Sequence, residues 1–220
     1  MTTRIRPQTK AGEVKEDRSH RDHKLNPRIH PEGLEEYDST SKVKIWRSLG
    51  KLALLSGPEM RFLQDVPRFL GTGDYANLGH AKGASAILIA DGLREYGYEG
   101  KVYSVDLFPR QNDLKKAIRT VQAFDLESRI ELCKGSTKKW AEELQDKHFK
   151  FIFVDADHSL DGVKNDFYNW SFLLEKGGWI SFHDTNQDFS HRALQDTVVG
   201  RWHELKAFHV HRIRTFQKPK

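Results

Sequence analysis

Five acids and imidazoles fall in two short stretches of the chain: Asp155, Asp157 and His158 in FKFIFVDADHS, and His183 and Asp184 in WISFHDT. Each stretch opens on an apolar run that reads as a buried strand, and neighbouring strand ends in a sheet lie about 5 Å apart, so these groups can converge. Converging carboxylates with imidazole beside them suit the holding of a hard divalent cation of the Mg²⁺ type, which takes oxygen ligands and keeps positions open. The blander reading of the same residues is that Asp155 and Asp184 bond loop N–H groups while Asp157 or Ser159 caps the next helix.

A second set lies earlier. In YANLGHAKGAS (75–85) a short strand runs to Leu78, Gly79 and Gly83 allow a tight turn and a close backbone approach, and Ala84 opens a helix whose first N–H groups suit an anion. Further on, KVYSVD is an apolar strand ending in Asp106, where a nucleotide-binding βαβ unit keeps the acid that grips ribose hydroxyls. The spacing G-x-x-x-G is neither that of nicotinamide binders nor that of phosphate loops, and either part alone is an ordinary turn or strand end. Their order along the chain is what points to a nucleotide-type pocket.

The elements that must position these residues alternate. Strands are predicted near 75–79, 101–106, 129–133, 150–155 and 178–183, with helices near 84–97, 110–125, 137–146, 161–175 and 189–203. That rhythm predicts an α/β fold: a Rossmann-like, doubly wound and mostly parallel sheet with helices on both faces, closed by an antiparallel C-terminal strand from AFHVHRIRTFQK. In such sheets ligands sit beyond the carboxyl ends of the strands, where Gly79, Asp106, Gly135, Ser136, Asp155 and Asp184 all fall. Residues 1–40 are polar and aperiodic and read as a flexible or loosely docked arm; 41–220 read as one domain, with N-terminal helices over 41–70 and the core over 75–220. Val43, Trp46, Leu49, Leu52 and Leu55 recur at helical spacing, and a second helix over 58–70 carries a break or kink near Pro67.

Composition narrows the class. With 220 residues, of which 37% are apolar, one sizeable core is the expectation. The single cysteine, Cys133, excludes an internal disulfide and a thiolate zinc cage. No apolar segment is long enough to span a membrane and no leader-like run opens the chain, so a cytoplasmic protein is expected. Residues 201–220 carry six Lys or Arg against one acid, which fits a solvated edge better than a nucleic-acid surface.

The stretch from Tyr75 to Gly178 resembles the class I S-adenosylmethionine-dependent methyltransferases, most closely methyltransferase family 24 and its metal-dependent O-methyltransferase relatives. The marks are NLGHAKGAS, VYSVD, CKGS, and VDADHSLDGVKND followed by LLEKGGWISFHD. The resemblance implies that Gly79 and Gly83 pass under the methionine part of the cofactor with Ser85 near its carboxylate, that Asp106 holds the ribose, and that Gly135 and Ser136 border the adenine. It implies Asp155 and Asp184 as ligands of Mg²⁺, with His158 standing where those relatives keep a lysine base. The sequence departs from the pattern at Asn77, where an acid is usual, and at Thr185, where an asparagine ligand is common. The expected activity is methyl transfer to the hydroxyl of a small-molecule acceptor, with oligomeric state open. The rivals are a metal-dependent sugar-nucleotide glycosyltransferase, reading Asp155–Asp157 as its metal motif, and a noncatalytic protein binding RNA or a partner chain.

Overall fold

The computed structural model describes residues 4–5, 45, 49 and 54–220. The strands in chain order are β1 (Arg4–Ile5), β2 (Asp74–Leu78), β3 (Val102–Asp106), β4 (Ile130–Lys134), β5 (Phe149–Val154), β6 (Leu174–Phe182), β7 (His203–Glu204) and β8 (Arg214–Gln217). They form one sheet in the order β1-β4-β3-β2-β5-β6-β8-β7. The five central strands are parallel, and β8 lies antiparallel to β6. The expected fold class is therefore what the chain adopts, with two short antiparallel edges added: β7 on β8, and Arg4–Ile5 on β4. The rest of the predicted arm and most of the predicted 41–55 helix lie outside the described residues, although Leu49 is helical and buried.

Six helices cover the sheet among the described residues: α1 (Gly57–Leu70), α2 (Ala84–Glu95), α3 (Asp113–Ala123), α4 (Thr137–Glu143), α5 (Leu160–Trp170) and α6 (Asp188–Thr197). α1 starts on a capping box in which Ser56 and Glu59 satisfy each other's backbone N–H, and it runs through Pro67 without the predicted break. The last predicted helix is shorter than expected. It ends at Thr197, and the basic tail that follows folds back as a 3₁₀ turn (Lys206–Phe208) and β8. Three of its cations face inward: Arg212 reaches Glu59, Arg214 pairs with Glu204, and Lys218 Nζ donates to the carbonyls of Ser171 and Leu174.

Strand alternation splits the core into two layers. Tyr75, Val102, Phe151, Phe153 and Trp179 pack toward α1, α2 and α3, while Ala76, Val105, Ile152, Ile180 and Phe182 pack toward α4, α5 and α6. One register row on the first face is unusually polar. Ser104, Asn77, Phe153, Ser181 and Thr215 are successive cross-strand partners, and all five are fully buried. This row lies next to the carboxyl ends of the strands. The apolar core thus changes into a hydrogen-bonded layer directly beneath the loops that carry the candidate residues. On the same face α1 and α2 approach so closely that a Cβ on Gly92 would lie 2.0 Å from the Gln64 carbonyl oxygen.

On the opposite face Asp166 of α5 is buried and bonded to Thr137 Oγ1 at 2.5 Å, and burial lifts its pKa from 3.8 to about 6. A carboxyl whose folded pKa is raised destabilises the fold once both states ionise, so the penalty is absent below pH 4 and complete above pH 6. Asp166→Asn keeps a bond to Thr137 without the charge. It should raise stability by about 3 kcal/mol at pH 8, at 1.36 kcal/mol for each pKa unit, and change little at pH 3.5. Urea unfolding at both pH values checks this; an equal effect at both would refute the assignment of the penalty to charge.

Candidate active site

Asp106 is the centre of the first set. Its Oδ2 accepts the backbone N–H groups of His80 (2.9 Å) and Ala81 (3.0 Å), and its Oδ1 accepts that of Phe108 (2.9 Å). Gly135 N–H donates to the Asp106 carbonyl at 2.9 Å, which brings the loop after β4 to the same place. Ser136 beside it caps α4. A cleft of ≈ 680 Å³ opens against Asp106, lined among others by Ala81, Lys82, Phe108, Arg110 and Ala117. Leu107, next to the acid, is 62% exposed. Ala81 and Phe108 both hold positive φ, at 43° and 45°, so the loops around Asp106 are kept in a strained form by the acid's own hydrogen bonds.

The loop between β2 and α2 is underpinned by side chains from the polar row. Asn77 Nδ2 donates to the Gly79 carbonyl (3.0 Å) and to Ser104 Oγ (2.9 Å). His80 lies 1% exposed with Nδ1 2.7 Å from the same Ser104 Oγ, and burial lowers its pKa to about 4, so the ring is neutral. Two buried atoms lack partners: Asn77 Oδ1, an acceptor, and His80 Nε2. An ammonium on a ligand would complement Asn77 Oδ1, and α2 starts at Gly83 with no side-chain cap, where a carboxylate is suited. Ser85, in its first turn, is buried. The residues present therefore fit the amino-acid end of S-adenosylmethionine as well as its ribose.

The second set converges as the strand order requires. His158 Nε2 lies 3.2 Å from Asp155 Oδ1, and Nδ1 lies 3.4 Å from Asp184 Oδ2. One ligand atom from each of the three residues falls within 4.8 Å of the others. The hydrogen bond to Asp155 raises the pKa of His158. His183 Nδ1 sits 2.9 Å from Asp155 Oδ1 and 3.5 Å from Asp184 Oδ1. Its Nε2 is 3.4 Å from Glu59 Oε1, an ion-pair contact rather than a well-formed hydrogen bond. Burial disfavours the charge on His183, yet the contacts with Asp155 and Glu59 prevail and lift its pKa to about 9. Asp155 is likewise opposed by burial and held below the usual carboxylate range by its two imidazole partners.

Two members of this cluster are not among the residues singled out in the sequence. Glu59 of α1 is 0% exposed, and although burial opposes its charge, contacts from His183, the Ser56 N–H and Arg212 keep its pKa far below normal. Arg212 donates to Glu59 through its backbone N–H (3.1 Å), Nε (3.3 Å) and one terminal nitrogen (3.1 Å), and its other terminal nitrogen lies 2.8 Å from Asp184 Oδ1. Glu59 was visible only as half of a capping-box pattern, S-x-x-E. Arg212 has no local signal, because only the return of the chain from β8 brings it to this edge. Thr185, at the expected third ligand position, instead donates its hydroxyl and its N–H to the Arg212 carbonyl at 2.9 and 3.0 Å. The acids and imidazole come together as a divalent-cation site would need, but as they stand they face nitrogen cations, and they do not fit a bound Mg²⁺.

The two sets meet through Gly79. Its φ is 95°, and a Cβ there would lie 2.1 Å from the Asp155 carbonyl oxygen, so only glycine lets the first loop lie against the second.

Comparison with known proteins agrees with this geometry. The profile of methyltransferase family 24, described as "Methyltransferase domain", matches residues 76–185, half of the chain. No curated protein sequence matches. Among solved structures, an O-methyltransferase from Bacillus cereus in complex with SAH aligns at TM-score 0.61 with 17% identity, covering 78% of this chain and 86% of its own. An SAH-bound methyltransferase from Podospora anserina gives 0.61 and 15% identity over 76% and 80%. The O-methyltransferase TomG from Streptomyces achromogenes, in complex with SAM, gives 0.56 and 16% over 68% and 70%. At these identities the neighbours speak for the fold, while the profile speaks for the family and sets aside the glycosyltransferase reading. The loop cradled by Asp106, the pair of unpartnered atoms beneath it and the matched span from Ala76 to Thr185 place the chain among the class I S-adenosylmethionine-dependent methyltransferases, in methyltransferase family 24.

Proposed function

We propose that this enzyme methylates the hydroxyl group of a small-molecule acceptor. The observation that carries the reading is the contact of Gly79 with Asp155, which sets the cofactor loop directly against the acid–imidazole cluster, so a methyl group held by one faces a nucleophile held by the other. The neighbours that carry SAH or SAM and are titled O-methyltransferases support the same direction. Among the described residues no helix is long and apolar enough to cross a membrane, and inward-facing cations in the basic tail weaken the nucleic-acid alternative.

In this reading Asp106 holds the ribose hydroxyls, with Gly135 and Ser136 at the adenine side. Asn77 Oδ1 takes the ammonium and the start of α2 the carboxylate, over Gly79, Gly83 and Ser85. When bound, the cofactor supplies an electrophilic methyl group on a sulfonium. What the chain supplies is alignment and proton removal. Asp155 holds Nε2 of His158 and so orients the ring, while Nδ1, on the longer 3.4 Å contact to Asp184, takes the hydroxyl proton. His158 is 36% exposed, as a base that meets an incoming acceptor must be.

Two outcomes follow. Asp106→Ala should weaken SAH binding, read by calorimetry, by about 1.5–3 kcal/mol, the scale of hydrogen bonds to a charged group. Unaltered SAH affinity would remove Asp106 from the cofactor site, and wild-type protein that binds NAD or a nucleotide sugar but no SAH would end the reading altogether. His158→Ala should leave SAH affinity intact and slow transfer of labelled methyl to a panel of phenols and sugar hydroxyls by about 10²–10⁴-fold, the usual share of a general base. Undiminished turnover in that variant would assign the proton elsewhere.

A further inference from the structure

The residues at the ends of β5 and β6 contain their own cation. We infer that Arg212, anchored by Glu59 and backed by His183, stands in place of the divalent ion that this arrangement of acids would otherwise bind, so that the enzyme works without a metal. The inference deepens the hydroxyl-methylation reading and rests on it.

Four observations carry it. The guanidinium reaches Asp184 Oδ1 at 2.8 Å, closer than any other group recorded at that acid. It cannot swing away freely, because the same side chain makes two further bonds to Glu59 and one to the Leu54 carbonyl (3.1 Å), and its own backbone N–H bonds Glu59 as well. The residue at the expected third ligand position is tied to the same arginine: the Thr185 hydroxyl donates to the Arg212 carbonyl at 2.9 Å. The remaining acid, Asp155, presents one oxygen to two imidazoles, at 2.9 and 3.2 Å. Arginine stays charged at any pH at which an enzyme works, so this cation is permanent. A dication entering here would face a fixed positive charge and would have to displace nitrogen donors from carboxylates that are mostly buried. An ion of the Mg²⁺ type is usually held by one or two carboxylates with water completing its shell, and here each carboxylate already faces a guanidinium or an imidazole. The electrostatic task of a metal, a positive charge beside the acceptor oxygen as its proton leaves, then falls to Arg212, whose side chain is 36% exposed.

The test is a titration of the full chain with Mn²⁺, in the presence and absence of SAH, following free Mn²⁺ by electron paramagnetic resonance. Wild type should show no site up to about 1 mM, the weak end of the range for carboxylate ion sites, and its melting temperature with SAH should be the same in Mg²⁺ and in chelator. Arg212→Met, which releases Asp184 and Glu59, should gain a site at least tenfold tighter than any in wild type, and adding Asp184→Asn should abolish it. A stoichiometric Mn²⁺ site in wild type that Asp155→Asn removes would overturn the inference, as would a folded Arg212→Met variant that gains no site. If that variant does not fold, the wild-type titration decides alone. Failure of SAH to bind would instead strike the methyltransferase reading, and calorimetry with SAH, run beside the titration, tells the two failures apart.

Discussion

A single buried carboxylate, that of Glu59, ties together parts of the chain that are far apart in sequence. It sits at the first turn of α1, fully enclosed, and receives donors from Ser56 three residues before it and from Arg212 more than a hundred and fifty residues after it. A charge in such a place persists only if its partners are present, and removing one partner of a buried pair costs about 3–5 kcal/mol, far more than an exposed pair could contribute. In return the position of α1, the end of β6 at His183 and the turn before β8 are fixed relative to one another. Asp184, at a positive φ of 52°, and His211, at the same φ beside Arg212, are strained residues that this network holds in place.

The sheet does comparable work for the cofactor side by a quieter means. A strand buried on both faces would normally be apolar throughout. Here one cross-strand row keeps Ser104, Asn77, Ser181 and Thr215 on the α1–α2 face, each with a partner inside the layer. The polar row links Asn77 through Ser104 to His80, so the ring in the loop is held by a hydroxyl on the neighbouring strand.

The alternation of strands and helices was legible because each strand is a compact apolar run closed by a turn or an acid, and the common placement of the candidate residues was legible because parallel strands deliver their carboxyl ends to one edge. Gly79, Gly83, Asp106, Asp155, His158 and Asp184 all lie on that edge for this reason. Two kinds of information were not local. Register pairing, which makes Ser104 and Asn77 neighbours, cannot be read from either strand alone. The return of the basic tail to Glu59 depends on how α6 ends and how the 3₁₀ turn redirects the chain, and the six cations of that tail gave no hint of which one would be drawn inward.

Asp106 already accepts three backbone N–H groups before any ribose reaches it. Each carboxylate oxygen has two lone pairs, so Oδ2 is filled by the loop N–H groups and Oδ1 keeps one place for a hydroxyl donor. The loops on either side of the cleft are therefore shaped by the protein in advance and do not have to be ordered by the ligand, and the entropy of fixing them is met during folding rather than at each encounter. On the role proposed for Asp106, spent cofactor would leave loops that hold their shape without it, and the next molecule would enter a cleft already formed.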